Sequence, residues 1–172
     1  VTATTAELNI MDGVTSSAAE LNLLDGVTAL TTSVTSLSDA LVEDNSMYIG
    51  NNPSSSTSTA QYNVAVGTTA LDAVTTGDGN VAFGYDALTA NTTGTQNVAI
   101  GNDAMGDNTS GGYSTAVGWR VLGKQTTGGN NTGLGSTALR NTTTGTSNTA
   151  IGTVTLMNNI TGGYNTALGE GA

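Results

Sequence analysis

Apolar side chains recur along this chain every 17 residues, each followed by glycine: Ile49-Gly50, Val66-Gly67, Phe83-Gly84, Ile100-Gly101, Val117-Gly118, Leu134-Gly135, Ile151-Gly152 and Leu168-Gly169. A strict short period marks a solenoid, in which each repeat packs on its neighbours. Columns can be numbered from the Asn or Ser that opens each unit. Column one is then Asn63, Asn80, Asn97, Asn131, Asn148 and Asn165, with Ser46 and Ser114 in its place. Stacked Asn side chains hydrogen-bond along a cross-β stack, so column one predicts a ladder. Column three is small from Ala65 onward and column four is bulky and apolar. Column nine reads Leu71, Leu88, Met105, Leu122, Leu139, Leu156.

Column five is glycine in every unit, and column 15 is glycine at 77, 94, 111, 128, 145 and 162. Glycine fixed at one phase predicts a corner that needs positive φ or close packing. Between the corners, Asn-Val/Thr-Ala-Ile/Val and Thr-Thr segments suit short strands. The pattern predicts two strands and two turns per coil, stacked in parallel sheets. The fold class is mainly β, a parallel β-solenoid of eight 17-residue coils over 46–172. Glycine and Thr-Thr pairs would break every helix of a helical repeat, which excludes that class.

Two large apolar side chains per coil make a thin core for a single chain. In early coils columns two to four, such as Val64-Ala65-Val66, are apolar on both faces, as in a strand buried on both sides. An oligomer whose chains share a core follows. Column two changes from Val64, Val81 and Val98 to Thr115, Thr132, Thr149 and Thr166, so this face grows more polar toward the C-terminus.

Residues 1–45 follow another rule. Ala6-Glu7-Leu8-Asn9 and Ala19-Glu20-Leu21-Asn22 each lead to an Asp-Gly-Val-Thr, at Asp12 and Asp25. Thr4 with Glu7, and Ser17 with Glu20, match the capping box, and Gly13 and Gly26 fall where helix C-caps would. A heptad stripe follows, Leu23, Val27, Leu30, Val34, Leu37 and Leu41. It predicts a lone amphipathic helix or a short parallel coiled coil; the Thr and Ser beside it favour the latter, since such a helix would hardly stand alone. Valine at a with leucine at d leans toward two strands.

Composition narrows the chemistry. Only 9% of residues are charged and the net charge is −10, which argues against nucleic acid or an anionic membrane surface as partner. The three basic residues, Arg120, Lys124 and Arg140, form no phosphate-binding run. Cysteine and histidine are absent, so disulfides and thiolate or imidazole metal sites are excluded and no cofactor is expected. No run is long enough to insert in a membrane, and no signal peptide is visible. The chain opens inside a repeat and ends inside the eighth coil, as expected of a piece of a longer protein.

The coil pattern Asn-Thr-Ala-Ile-Gly-x-x-Ala-Leu-x-x-Asn-Thr-Thr-Gly resembles repeats of phage tail fibres and related virion fibre proteins. Residues 148–152 and 165–169 show it cleanly, as do Ala87-Leu88 and Asn91-Thr92-Thr93-Gly94. The Ala-Glu-Leu-Asn-x-x-Asp-Gly-Val-Thr units resemble another phage-fibre element. A looser similarity links the coils to the heads of trimeric autotransporter adhesins, whose repeat is shorter. The resemblance implies a homotrimer, a left-handed β-roll and a role in host attachment at the virion surface. Other fibre or baseplate proteins and a host surface glycan are its implied partners. The alternative is the head of a bacterial trimeric surface adhesin.

Catalysis would fall to carboxylates such as Asp86 and Asp103, which share column seven about 5 Å apart, near the spacing of a retaining glycosidase pair. The plainer reading is two solvated turn carboxylates, and no enzyme is expected. Gly77-Asp78-Gly79-Asn80 resembles a calcium turn but is not repeated. Adjacent Thr columns, as at Thr92-Thr93 and Thr126-Thr127, face opposite sides of a strand, which does not suit an ice-binding array. Tyr85 and Trp119, in column six, suit sugar stacking, and Arg120 and Lys124 lie close enough in sequence to meet an acidic glycan. Packing against a neighbouring coil or chain is the competing use of both aromatics.

Overall fold

The computed structural model describes residues 40–50, 53 and 59–172. All of them belong to one compact unit, Leu37–Ala172. The capping boxes and most of the heptad stripe lie outside the described residues. Leu41, the last stripe position, lies in a strand.

Nine strands form one sheet in sequence order: β1 (Ala40–Glu43), β2 (Ser46–Ile49), β3 (Val64–Val66), β4 (Val81–Phe83), β5 (Val98–Ile100), β6 (Thr115–Val117), β7 (Thr132–Leu134), β8 (Thr149–Ile151) and β9 (Thr166–Leu168). From β2 to β9 the pairing is parallel and the register shift is 17 throughout, as in Ala82↔Ala99. Eight stacked strands bound seven complete turns, one fewer than the eight coils expected. β1 pairs antiparallel with β2 through Asp44 and Asn45, both at positive φ, as a tight hairpin turn requires. It covers the N-terminal edge of the stack. Tyr48 fills column three beneath the alanines and is fully buried.

The two-strand coil is corrected. Each coil has one strand, four residues long in β2 and three in β3–β9, because the Thr-Thr segment curls around a carbonyl instead of running beside its neighbour. The N–H groups of Thr75, Thr76 and Gly77 all donate to Thr92 O, at 3.0, 3.2 and 3.2 Å, and Thr75 Oγ1 donates there too.

The core lies inside the coil and belongs to one chain. Columns three, eight and nine fill it, with Ala82, Ala87 and Leu88 fully buried as one layer. Column four points outward: Phe83 is 56% exposed and Leu134 45%. Of the two large apolar columns, only column nine enters the core. Corners are more numerous than glycine suggested. Column five is left-handed in every unit, with φ from 82° to 136°. Columns seven, nine and 17 are left-handed with larger residues, for example Asp103 (φ 57), Leu122 (φ 52) and Tyr113 (φ 59). Column-15 glycine is not left-handed; a Cβ on Gly111 would strike the Gly128 carbonyl, so packing alone demands it.

Two buried amide ladders lie in the stack, one along column one and a shorter one over Asn91, Asn108 and Gln125 in column 12. In column one, Asn80 N and Nδ2 donate to Asn63 Oδ1 at 2.8 and 3.1 Å, and Nδ2 also donates to Gly94 O. Column 12 supplies a second ladder that the sequence reading missed: Asn108 Nδ2 donates to Asn91 Oδ1 at 2.8 Å. Where column one shortens to Ser114, column 12 lengthens to Gln125. Gln125 Nε2 reaches Ser114 Oγ at 3.4 Å, and its Oε1 accepts from Asn131 Nδ2 at 2.9 Å. The paired change keeps buried polar atoms satisfied.

A steric pair does the same for volume. Column eight enlarges to Val121, and column three of the next coil loses its methyl at Gly133, where a Cβ would collide with Val121 Cγ1. Gly133→Ala is therefore expected to cost about 1–3 kcal/mol by overpacking, and Val121→Ala a similar amount through a cavity. The double variant, which restores the Ala/Ala layer of neighbouring coils, should recover most of both losses. Thermal unfolding of the three variants checks this, and strictly additive losses would refute the coupling.

Candidate functional site

Against this regular background, columns six, seven, ten and eleven depart from the repeat in the coils opened by Asn80, Asn97 and Ser114. Column six carries Tyr85, Asn102 and Trp119 on successive coils, just past the glycine corner. Column seven carries Asp86, Asp103 and Arg120, and column eleven carries Asp107 then Lys124. Column ten becomes glycine at 106 and 123, and Gly123 lines the opening. The result is a cleft of about 330 Å³ lined by the column six, seven and eleven side chains, by Gly123 and, from the next coil, by Arg140.

Stacking at 17 residues pairs opposite charges. Arg120 Nε donates to Asp103 Oδ2 at 2.6 Å, with both side chains partly buried. Lys124 Nζ meets Asp107 Oδ2 at 3.0 Å, more exposed. The Arg120 guanidinium also lies 5.5 Å from the Trp119 ring centroid, within cation–π range. Asp86 accepts a hydrogen bond from the Thr69 hydroxyl. The Tyr85 hydroxyl is pushed above the ordinary tyrosine range by its hydrogen bond to Asp86, then by the charges of Asp86 and Asp103. It therefore stays protonated at neutral pH.

All four residues proposed from sequence for glycan contact, Tyr85, Trp119, Arg120 and Lys124, line this one cleft. Tyr85 and Trp119 are 54% and 50% exposed, so neither is consumed by packing on its own coil. The glycine corners Gly50, Gly67, Gly84, Gly101, Gly118, Gly135, Gly152 and Gly169 lie along the edge where the strand ends. Sequence reading missed Asp107 and Arg140, although Asp107 and Lys124 sit one period apart with opposite charge. Asp86 and Asp103 are held by different partners, Thr69 and Arg120, which is not the arrangement of two carboxylates converging on one bond. Asp78 accepts the Gln61 N–H at 2.7 Å. Among the described residues no three acidic side chains gather as a metal site.

No protein-family model, curated protein or solved structure matches this chain. The fold and site define a parallel β-solenoid that carries an asymmetric, charge-paired cleft.

Proposed function

We propose that the chain is a structural shaft segment of a viral tail fibre, displayed at the virion surface and contributing to host attachment. Three copies pack as a homotrimer through the outer faces of their sheets, each a left-handed coil entered through a short coiled coil. Other fibre or baseplate proteins flank it in the virion. The supporting observation is the outward stripe of column four, where Phe83, Ile100, Leu134, Ile151 and Leu168 are exposed in the single chain, flanked in the early coils by Val64 and Val81 of column two. An apolar band of that continuity marks an interaction surface. The resemblance of the coil motif to virion fibre repeats points the same way. The separate engagement of Asp86 and Asp103 supports a structural role over a catalytic one.

Sedimentation equilibrium tests the assembly. A mass three times 17.0 kDa is expected, and a monomer at micromolar concentration overturns it.

A further inference from the structure

We propose that the cleft between Tyr85 and Trp119 binds an acidic glycan, a pyranose carrying a carboxylate, and that Arg140 receives the carboxylate. This role rests on the fibre reading for its biological setting, while the ligand chemistry comes from the cleft itself.

Charge placement is the first ground. The chain has 13 acidic and three basic residues, and all three basic residues line this cleft. An anionic ligand meets a basic side chain there and nowhere else on the protein. Two of the three are already engaged, Arg120 by Asp103 and Lys124 by Asp107. Among the described residues Arg140 is in no ion pair. Its planar guanidinium presents two parallel N–H donors, the match for a carboxylate.

Shape is the second ground. Tyr85 and Trp119 stand in the same column two coils apart, about 10 Å along the stack. Asn102 lies between them, with an amide that both donates and accepts. Aromatic walls at that separation leave room for a sugar ring whose C–H faces pack on them. A volume of about 330 Å³ is at the small end of ligand pockets, the size of one or two sugar rings. Neither wall is needed for folding, since both project from turns outside the core.

Trp119 is the only tryptophan in the sequence, so its fluorescence reports on the cleft directly. The full chain is titrated with methyl β-glucuronide, a methyl sialoside and, as neutral twin, methyl β-glucoside. A saturable change is expected with at least one acidic probe at a concentration about tenfold below that needed for glucoside. Arg140→Gln should abolish the preference, and Tyr85→Ser should weaken binding of every probe. No saturable change with either acidic sugar, or a preference that survives Arg140→Gln, overturns the assignment. Sedimentation of the same samples separates the two readings. A trimer that ignores the sugars defeats the cleft inference alone; a monomer that binds them defeats the fibre assembly alone.

Discussion

Gly84→Ala is expected to lower the melting temperature by roughly 10–15 °C, while Gly79→Asn leaves it within about 2 °C. Both glycines have positive φ, yet their surroundings differ. Gly84 has φ 134, a conformation that L side chains rarely adopt, and a Cβ there would lie 2.7 Å from Gly101 O and 2.8 Å from Gly101 C. Those atoms belong to the next coil's backbone and cannot rotate away. Strain and overpacking together come to about 3–5 kcal/mol. Gly79 has φ 68, and the nearest atom to an added Cβ is Gln96 Cγ at 3.5 Å. Other coils already place Gln96, Asn130 and Ser147 at this column with φ of 56, 57 and 59. Asn tolerates the left-handed region better than most residues. Equal losses in the two variants would show that φ alone, and not the approach of the next coil, fixes the column-five glycine.

The contrast explains what was legible in the sequence. Period, strand position and the column-five corner could be read because glycine is conspicuous and the 17-residue spacing never slips. The corners at Asp103, Leu122 and Tyr113 could not, since ordinary side chains sit in the left-handed region without any residue signature. Nor did apolarity alone say which bulky column turned inward. Leu88 is buried because its left-handed backbone aims it inside while its N–H still donates to Ala104 O at 3.0 Å. Phe83, just as apolar, faces out because its strand neighbour Ala82 occupies the inner face. In the cleft, the aromatic and cationic residues stood out by rarity in a Thr/Asn background. Asp107 and Arg140 did not, because their meaning depends on which columns of successive coils line the same cleft.

The same outward face gives the second large effect. In the proposed trimer, Ile100→Asp is expected to reduce the solution mass to that of a monomer while leaving the solenoid folded. Ile100 is 40% exposed in the single chain, so the carboxylate costs the coil's own core nothing. In a threefold assembly with chains in register, three copies of residue 100 come to one height, and three like charges would meet on a dry face. Desolvation of an unpaired carboxylate costs several kcal/mol per ion, on the order of 10 kcal/mol for the assembly. Circular dichroism should keep its wild-type form, because Ala99 inside and the β4–β5–β6 pairings are untouched. Acidification should reverse the effect. Burial raises a carboxylate's pKa, so the trimer should return as pH falls through that raised value and the groups become neutral. An Ile100→Asp protein that stays trimeric at neutral pH would place the interface elsewhere and remove the outer stripe from the assembly.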